Sequence, residues 1–473
     1  MKLLEHEIDA IVCDSRKARA GSAFVCLCGA KSDGHSFASS AYRQGCRVFV
    51  CMHRLDLPSD AAQMIVPDTR IALAELSAAF YQYPARRLKL IGITGTKGKS
   101  TVSSLIADIL NAAGHKTAMI GTTGITVAGQ HTATENSTPE SLVLHRTFAE
   151  ALSAGCEYVV MEVSSQAYKM HRVYGIYFDA AVFTNLSPDH IGPEEHADYA
   201  EYRCCKGQLF ENAARSFFNA DDPESAYMEA HATGTISTYG IVQPADLHAD
   251  DVQSEWRNGR PGMSYLLEGI RYHLSLPGEF NVSNALAATA VCEYFGVSRR
   301  TIARVLEHAQ VCGRFERVGA LPGREFIIDY AHNGLSLYAI LSVLRGYRPK
   351  RLICLFGSVG ERTQIRRREL AEAARAFCDL CILTADNPDH EPPMQIIHDI
   401  AAHLGDCPYV AIPDRAEAIS FAVTHSCEGD IVLFAGKGHE TYQLIDGQKI
   451  PFCERDLILQ AIASMQREAE ILH

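Results

Sequence analysis

The chain has 473 residues, with 44 Lys plus Arg against 56 Asp plus Glu and a formal net charge of -12. At about 100 to 200 residues per domain this length sets about three domains and excludes a single small binding module. With 47% hydrophobic and 21% charged residues the chain is globular rather than disordered, and its acidic balance argues against a general nucleic-acid binder, which needs a basic face.

Near the N-terminus, Glu5, His6 and Glu7 interrupt the apolar stretch, so no signal peptide is legible. No later run approaches the roughly 18 apolar residues of a membrane span. The expectation is a cytoplasmic protein without membrane insertion. Short strands are read at 23–28 and 48–52 and a helix at 71–81. The pattern changes at 83–87, Tyr-Pro-Ala-Arg-Arg. From there strands and helices alternate: strand 88–94, helix 99–113, strand 117–120, helix 142–154, strands 158–163 and 180–185. This is the rhythm of a parallel sheet with helical crossovers. A second such block follows Arg314, with strands at 326–330, 352–356, 380–384, 409–412 and 431–435 and helices at 367–377 and 415–424. Ligands of open parallel sheets bind beyond the carboxyl ends of strands, and the polar motifs fall there. The 16 cysteines are scattered through apolar contexts and read as reduced, packed thiols. The Cys378/Cys381 pair has no second pair at zinc spacing.

After the strand 88–94 comes Gly95-Thr96-Lys97-Gly98-Lys99-Ser100, then Thr101 and an apolar helix. Glycines let the backbone wrap a phosphate chain, the helix directs its free N–H groups at it, and Lys99 can reach the outer phosphate oxygens. Ser100 or Thr101 can offer a hydroxyl to Mg²⁺. A strict Walker pattern requires a glycine where Ile93 stands, so the strand, turn and helix context carries this reading. Further metal ligands belong at the ends of neighbouring strands, where Glu162, Asn185, Asp189 and His190 occur.

At these residues the sequence resembles the Mur ligase family, which uses ATP to join amino acids to the peptidoglycan precursor. The motifs, in order, are Thr-Gly-Thr-Lys-Gly-Lys-Ser (94–100), Met-Glu-Val-Ser-Ser (161–165), Phe-Thr-Asn-Leu-Ser-Pro-Asp-His-Ile (183–191) and Gly-Glu-Phe-Asn-Val-Ser-Asn (278–284). They continue with Gly-Arg-Phe-Glu (313–316), Asp-Tyr-Ala-His-Asn (329–333), Asp-Asn-Pro (386–388) and Gly-Lys-Gly-His-Glu (436–440). Asp-Ser-Arg (14–16) and Asp-Gly-His (33–35) are similar to the N-terminal domain of the MurE-type branch, which adds the third residue of the stem peptide.

The resemblance implies an α/β protein of three domains. These are a small N-terminal UDP-binding domain (1–87), a central P-loop ATPase domain with a mostly parallel sheet (88–314), and a C-terminal Rossmann-like amino-acid-binding domain (315–473). It implies ATP and Mg²⁺ as cofactors, UDP-N-acetylmuramoyl-L-alanyl-D-glutamate as substrate, an acyl phosphate intermediate and a monomer. Gly95, Thr96, Lys97, Gly98, Lys99, Ser100 and Thr101 bind the ATP phosphates in this reading, with Asn281, Asn284, Arg314 and Asp329 around the nucleotide. Glu162, His190, Ser100 and a carbamylated Lys206 hold metal; Lys99, Lys206, His190 and Glu162 are the catalytic set. Ser15, Asn136, Ser137, Thr138, Ser164 and Arg172 face the UDP substrate. Arg362, Asp386, Asn387, Asp389, Gly436 and Glu440 bind the incoming amino acid.

Diaminopimelate-adding members carry Asp-Asn-Pro-Arg, whose arginine grips a carboxylate as a fork. Here Asp389 stands in that place, so the expected addition is L-lysine or another basic amino acid, with ornithine and diaminopimelate as alternatives. The stretch 187–196 also resembles the lysine-adding members. Arg366, Arg367 and Arg368 stand where the family has Lys-Arg-Pro. A folylpolyglutamate synthase is disfavoured by the N-terminal motifs, and a nonenzymatic nucleotide-gated scaffold by the intact Lys99, Glu162, His190 and Lys206.

Overall fold

The computed structural model describes residues 1–29, 32–134, 136–188, 191–192, 195–257, 260–319, 321–361 and 364–471. The chain forms two compact units, Met1–His248 with Ser283–Ile302, and Ala249–Val282 with Ala303–His473.

The first unit contains two sheets. Strands Ala10–Val12, Ser22–Val25, Val48–Cys51 and Ala62–Ile65 form a parallel four-stranded sheet in chain order. Helix Thr69–Phe80 follows, its first amides capped by the Asp68 carboxylate. The larger sheet is built on Lys89–Thr94. This strand is buried along nearly its whole length because parallel neighbours pair on both sides and helices cover its faces. Its parallel part runs Thr117–Gly121, Tyr158–Glu162, Lys89–Thr94, Phe178–Phe183, Ala213–Asn219, Thr235–Gly240. The first strand in sequence therefore lies third in space. The connection from it runs to Thr117–Gly121 on one side, and the connection from Tyr158–Glu162 crosses it to Phe178–Phe183 on the other, which puts the sheet's switch point at its carboxyl end. Leu90, Val159, Met161, Phe178, Phe183 and Phe210 belong to the core beneath.

The second unit is organised on strands Glu325–Asp329, Asp430–Ala435, Arg351–Phe356, Leu380–Leu383 and Tyr409–Ala411, adjacent in that order and parallel. The short Glu316–Arg317 is antiparallel at one edge. Between Asp430–Ala435 and Arg351–Phe356 the strand order reverses, which puts this sheet's crevice beside Gly436. Phe326, Ile353, Leu355, Ile382, Val432 and Phe434 share one core with helices Arg415–Thr424 and Glu454–Ile471. The same unit carries strands Arg260–Leu267 and Ile270–Leu274, paired antiparallel. Among the described residues no helix is long and apolar enough to cross a membrane.

Candidate active site

At the end of Lys89–Thr94 the chain turns through 95–98 into helix Lys99–Ala112. Gly95 has φ +145°, and a β-carbon there would stand 2.0 Å from Thr184 Oγ1, so only glycine lets the loop lie this close to the next strand. Two residues after Phe178–Phe183, the Asn185 side chain clasps the loop. Its Oδ1 accepts from Lys97 N at 2.9 Å and its Nδ2 donates to Lys97 O at 3.0 Å. Thr184 Oγ1 donates to the same carbonyl at 2.6 Å. The loop is thus set by its neighbour strand while the helix amides remain for an anion. Lys99 Nζ donates to Gly95 O at 2.8 Å and Thr96 O at 3.1 Å, folded back onto the loop. Ser100 and Thr101 are buried in the first turn.

Lys206, on helix Tyr199–Glu211, is 2% exposed and also donates to Gly95 O, at 2.8 Å, with Nζ 4.7 Å from the centre of the Tyr202 ring. Glu162 ends the adjoining strand and is 2% exposed. Its carboxylate accepts from Thr122 N at 2.8 Å and Thr122 Oγ1 at 3.0 Å. Thr94 Oγ1 is buried and without a partner among the described residues. A buried carboxylate, a buried lysine and a free hydroxyl around a glycine cradle are the donor set that a nucleotide phosphate chain with a hard divalent cation requires. His190 lies outside the described residues, as do Asp189, Pro193 and Glu194 of the 187–196 stretch.

Of the residues that the resemblance assigns to the UDP substrate, Thr138, Ser164 and Arg172 are hydrogen-bonded together in the same unit. Thr138 Oγ1 donates to Glu162 O at 2.9 Å and accepts from Ser164 N at 3.0 Å. Ser164 caps helix Ser165–Lys169. Arg172 donates to Thr138 O at 3.0 Å and to Glu140 Oε1 at 3.1 Å, while Arg70 reaches the other Glu140 oxygen at 3.2 Å. Asn136 is exposed and Ser137 half-buried beside them. Ser15 opens a short turn capped by Asp14, and its carbonyl accepts from Gln44. Asn284 comes to the glycine loop: its Oδ1 lies 2.4 Å from where a β-carbon on Gly98 would stand.

In the second unit, Asp329 accepts from Phe315 N and Ala331 N, both at 2.8 Å. Burial pushes its carboxyl above the ordinary range, while Arg314 and these amides pull the other way. Arg314 lies over the Tyr330 ring at 4.7 Å. Asn281 donates to Pro277 O. Where the sheet order reverses, Lys437 is completely buried and donates to Asn387 Oδ1 at 2.8 Å and Glu440 Oε2 at 2.7 Å. Asn387 Nδ2 donates to the same Glu440 oxygen at 3.0 Å, and Leu444 N donates to Asn387 Oδ1 at 3.0 Å. With its oxygen engaged by Lys437 and Leu444, Asn387 offers its amide hydrogens and Glu440 its carboxylate. The pair therefore presents a donor and an anion side by side, which suits a zwitterion. Gly436 has φ +106°, and Asp386 Oδ2 lies 3.1 Å from where its β-carbon would be. Beneath this cluster the fully buried Arg415 pairs with Glu454 at 2.6 Å and donates to Ala385 O at 3.2 Å and Ala435 O at 2.9 Å. It thereby links the residues preceding Asp386 and Gly436.

Asp389 sits at φ +52°, a conformation that Asp and Asn tolerate better than most residues. Its Oδ1 accepts from Gly447 N at 2.7 Å, and its main chain bonds Leu444 O and Asp446 N. Oδ1 of this carboxylate ties the hairpin Tyr442–Ile445/Gln448–Pro451 to the loop. Arg362 lies outside the described residues. Arg367 is buried and held by Glu391 and Asp399. Thr122, Thr184, Lys437, Arg415 and Glu454 escaped the sequence reading. Lys437 and Thr184 carried a signal, their places inside the quoted 436–440 and 183–191 motifs.

Family models cover the chain in three stretches: "Mur ligase family, catalytic domain" at residues 7–81, "Mur ligase middle domain" at 93–292 and "Mur ligase, glutamate ligase domain" at 313–438. A UDP-N-acetylmuramoyl-L-alanyl-D-glutamate--2,6-diaminopimelate ligase of Geobacillus thermodenitrificans is 40% identical over 96% of this chain and 95% of that protein. A protein of the same name from Clostridium perfringens is 37% identical over 96% and 95%. A solved structure with that ligase name aligns at TM-score 0.69 and 27% identity, covering 98% of this chain and all of that one. The ADP complex of a Thermotoga maritima MurF ligase shares the fold, at TM-score 0.63 and 18% identity over the full length of both chains.

Proposed function

The chain belongs to the Mur ligase family and is an ATP-dependent, ADP-forming peptide ligase, and from that premise we propose that it joins a diamino acid to the D-glutamate of UDP-N-acetylmuramoyl-L-alanyl-D-glutamate. The first reading for that amino acid is meso-diaminopimelate. The observation that carries it is the end-to-end likeness to proteins named as 2,6-diaminopimelate ligases, 37 to 40% identical. The polarity of the Asn387–Glu440 pair supports an amino acid as acceptor of the activated group.

In this reading Lys99 exchanges the carbonyls of Gly95 and Thr96 for phosphate oxygens, and the first amides of helix Lys99–Ala112 take the phosphate chain. Ser100, Glu162, His190 and a carbamylated Lys206 would hold Mg²⁺, which would supply charge neutralisation at the transferring phosphoryl group. Thr122 keeps the Glu162 carboxylate oriented. Carbamylation turns the Lys206 cation into an anion, a reason for a lysine to be buried beside a glycine loop. Ser15, Asn136, Ser137, Thr138, Ser164 and Arg172 take the UDP substrate; Asn281, Asn284, Arg314 and Asp329 take the nucleotide. The D-glutamyl carboxylate takes the γ-phosphoryl group as ADP leaves. Glu440 receives the ammonium of the incoming amino acid, and the amine left when that ammonium gives up a proton attacks the acyl phosphate carbonyl, forming the C–N bond as the C–O bond breaks and phosphate departs. Arg362 and Gly436 take the carboxylate of the incoming amino acid, beside Asp386, Asn387 and Asp389. The division at 1–87, 88–314 and 315–473 assigns these three tasks to three domains.

A second reading, L-lysine, is favoured by one observation: Asp389 supplies no guanidinium for a second carboxylate. Phosphate release with ATP, Mg²⁺ and the UDP-muramoyl dipeptide, compared for diaminopimelate, lysine and ornithine, separates the readings. Release with diaminopimelate above the others supports the first. Release with lysine alone moves the assignment to the second, and release with no amino acid overturns both.

A further inference from the structure

Four thiols gather at one end of the second unit's sheet, away from the Asp386–Glu440 cluster. Cys354 and Cys381 are paired residues of neighbouring parallel strands. Cys378 begins the turn before the strand carrying Cys381, and Cys407 precedes the edge strand Tyr409–Ala411. The Cys381 and Cys407 sulfurs are 3.7 Å apart, in contact. This proximity is built into the ladder: Cys381 N donates to Pro408 O at 2.9 Å, and Cys381 pairs with Tyr409. The two sulfurs differ in access. Cys381 is fully buried, whereas Cys407 lines an open cavity of about 530 Å³ together with Arg375, Cys378, Asp379 and Asp406.

We propose that Cys407 and Cys381 form a modification site for hydrogen peroxide, with Cys407 as the entry thiol and Cys381 as the thiol that resolves it into a disulfide. In the first step the Cys407 sulfur attacks one peroxide oxygen. An S–O bond forms, the O–O bond breaks, and the departing hydroxide takes up the thiol proton as water. In the second step the Cys381 sulfur attacks the Cys407 sulfenic acid. The S–S bond forms, the S–O bond breaks, and a second water leaves with the Cys381 proton. Two thiols are oxidised by two electrons and one peroxide becomes two waters. The sulfurs must approach from 3.7 Å to the roughly 2.05 Å of a disulfide for the bond to form. The hydrogen bond to Cys381, with burial, pushes the Cys407 thiol up, so thiolate is scarce at neutral pH and the reaction accelerates as pH rises.

A rival cluster, Cys28, Asp33 and His35, offers less. His35 Nε2 accepts from Met52 N at 2.9 Å while Nδ1 contacts Asp33 Oδ1 at 2.6 Å, so the ring is already engaged on both sides.

The test uses the full-length reduced protein treated with hydrogen peroxide at pH 7 and pH 9, then alkylated under denaturing conditions and cleaved before aspartates. Asp379 and Asp406 separate Cys378, Cys381 and Cys407 into three peptides. The expected product is a 381–407 crosslink that forms faster at pH 9 and disappears on reduction. Cys407→Ser should lose it and keep ligase activity; Cys28→Ser should retain it. A 378–381 crosslink, or alkylation of both Cys381 and Cys407 while the exposed Cys204 is oxidised, overturns the assignment. The readout is mass alone, so this outcome is independent of which amino acid the enzyme adds.

Discussion

Replacing Lys437 by methionine removes a buried cation while keeping a flexible side chain of similar length. Lys437 makes two short hydrogen bonds, 2.8 Å to Asn387 Oδ1 and 2.7 Å to Glu440 Oε2, and lies 3.7 Å from Asp386 Oδ1. Hydrogen bonds involving a charged group contribute about 1.5 to 3 kcal/mol each. The Glu440 side chain is 17% exposed, so water replaces part of what it loses, and the net effect falls nearer one bond than two. A loss of about 2 to 3 kcal/mol corresponds to roughly 30- to 150-fold in kcat/KM. Because the proposed function puts Asn387 and Glu440 at the incoming amino acid, the loss should appear with that amino acid as varied substrate. The KM values for ATP and the UDP-muramoyl dipeptide should stay within about twofold. Phosphate release with each substrate varied in turn measures this. An unchanged amino-acid KM, or equal losses for all three substrates, would falsify the claim that Lys437 orients Asn387 and Glu440.

Arg415→Met leaves Glu454 buried without its partner, and breaking such a pair costs about 3 to 5 kcal/mol. Hydrogen exchange of strands Leu380–Leu383 and Asp430–Ala435 should report it, and the double variant with Glu454→Gln should recover part of the loss; a double variant as unstable as the single contradicts the ion-pair account. Lys99→Ala should reduce turnover by about 10² to 10³ through lost phosphoryl stabilisation, measured as ADP formation; near-normal turnover removes Lys99 from the site. Lys206→Ala should lose activity and partly regain it with a small added carboxylate, whereas full activity without the additive rules out the carbamate. His145 is 3% exposed with both ring nitrogens unpartnered among the described residues, and burial lowers its pKa from 6.5 to about 4. The unfolded chain then binds the extra proton first, so this group's stabilisation is intact above about pH 6.5 and is lost as pH falls toward 4. At about 1.4 kcal/mol per pH unit the loss approaches 3 kcal/mol. His145→Leu should remove that part of the pH dependence, read as the change in urea midpoint between pH 7 and 4.5; identical changes in both proteins refute it.

The parallel strands of both units were legible because each is a short apolar run ended by a turn. Those at 89–94, 158–162, 351–356 and 430–435 match their sequence ranges to within a residue. The glycine loop and Glu162 were legible for the same reason, since strand ends receive the chemistry of such sheets. The strand Leu247–Arg257 was not, because it is mostly exposed and carries no apolar run. At Asp389 residue type alone left a structural contact out. An aspartate after Asn-Pro reads as a free charge until the hairpin amide of Gly447, 58 residues away, takes its carboxylate.

By itself the sequence determined the alternating architecture, the family motifs and the glycine loop, all of which depend on residues close together in the chain. Only the tertiary structure decided the strand orders, the Lys437 and Arg415 bonds and the meeting of Cys381 with Cys407. Those depend on which strands pair and in what register, and pairing is set by burial of whole faces, which no local run of residues records.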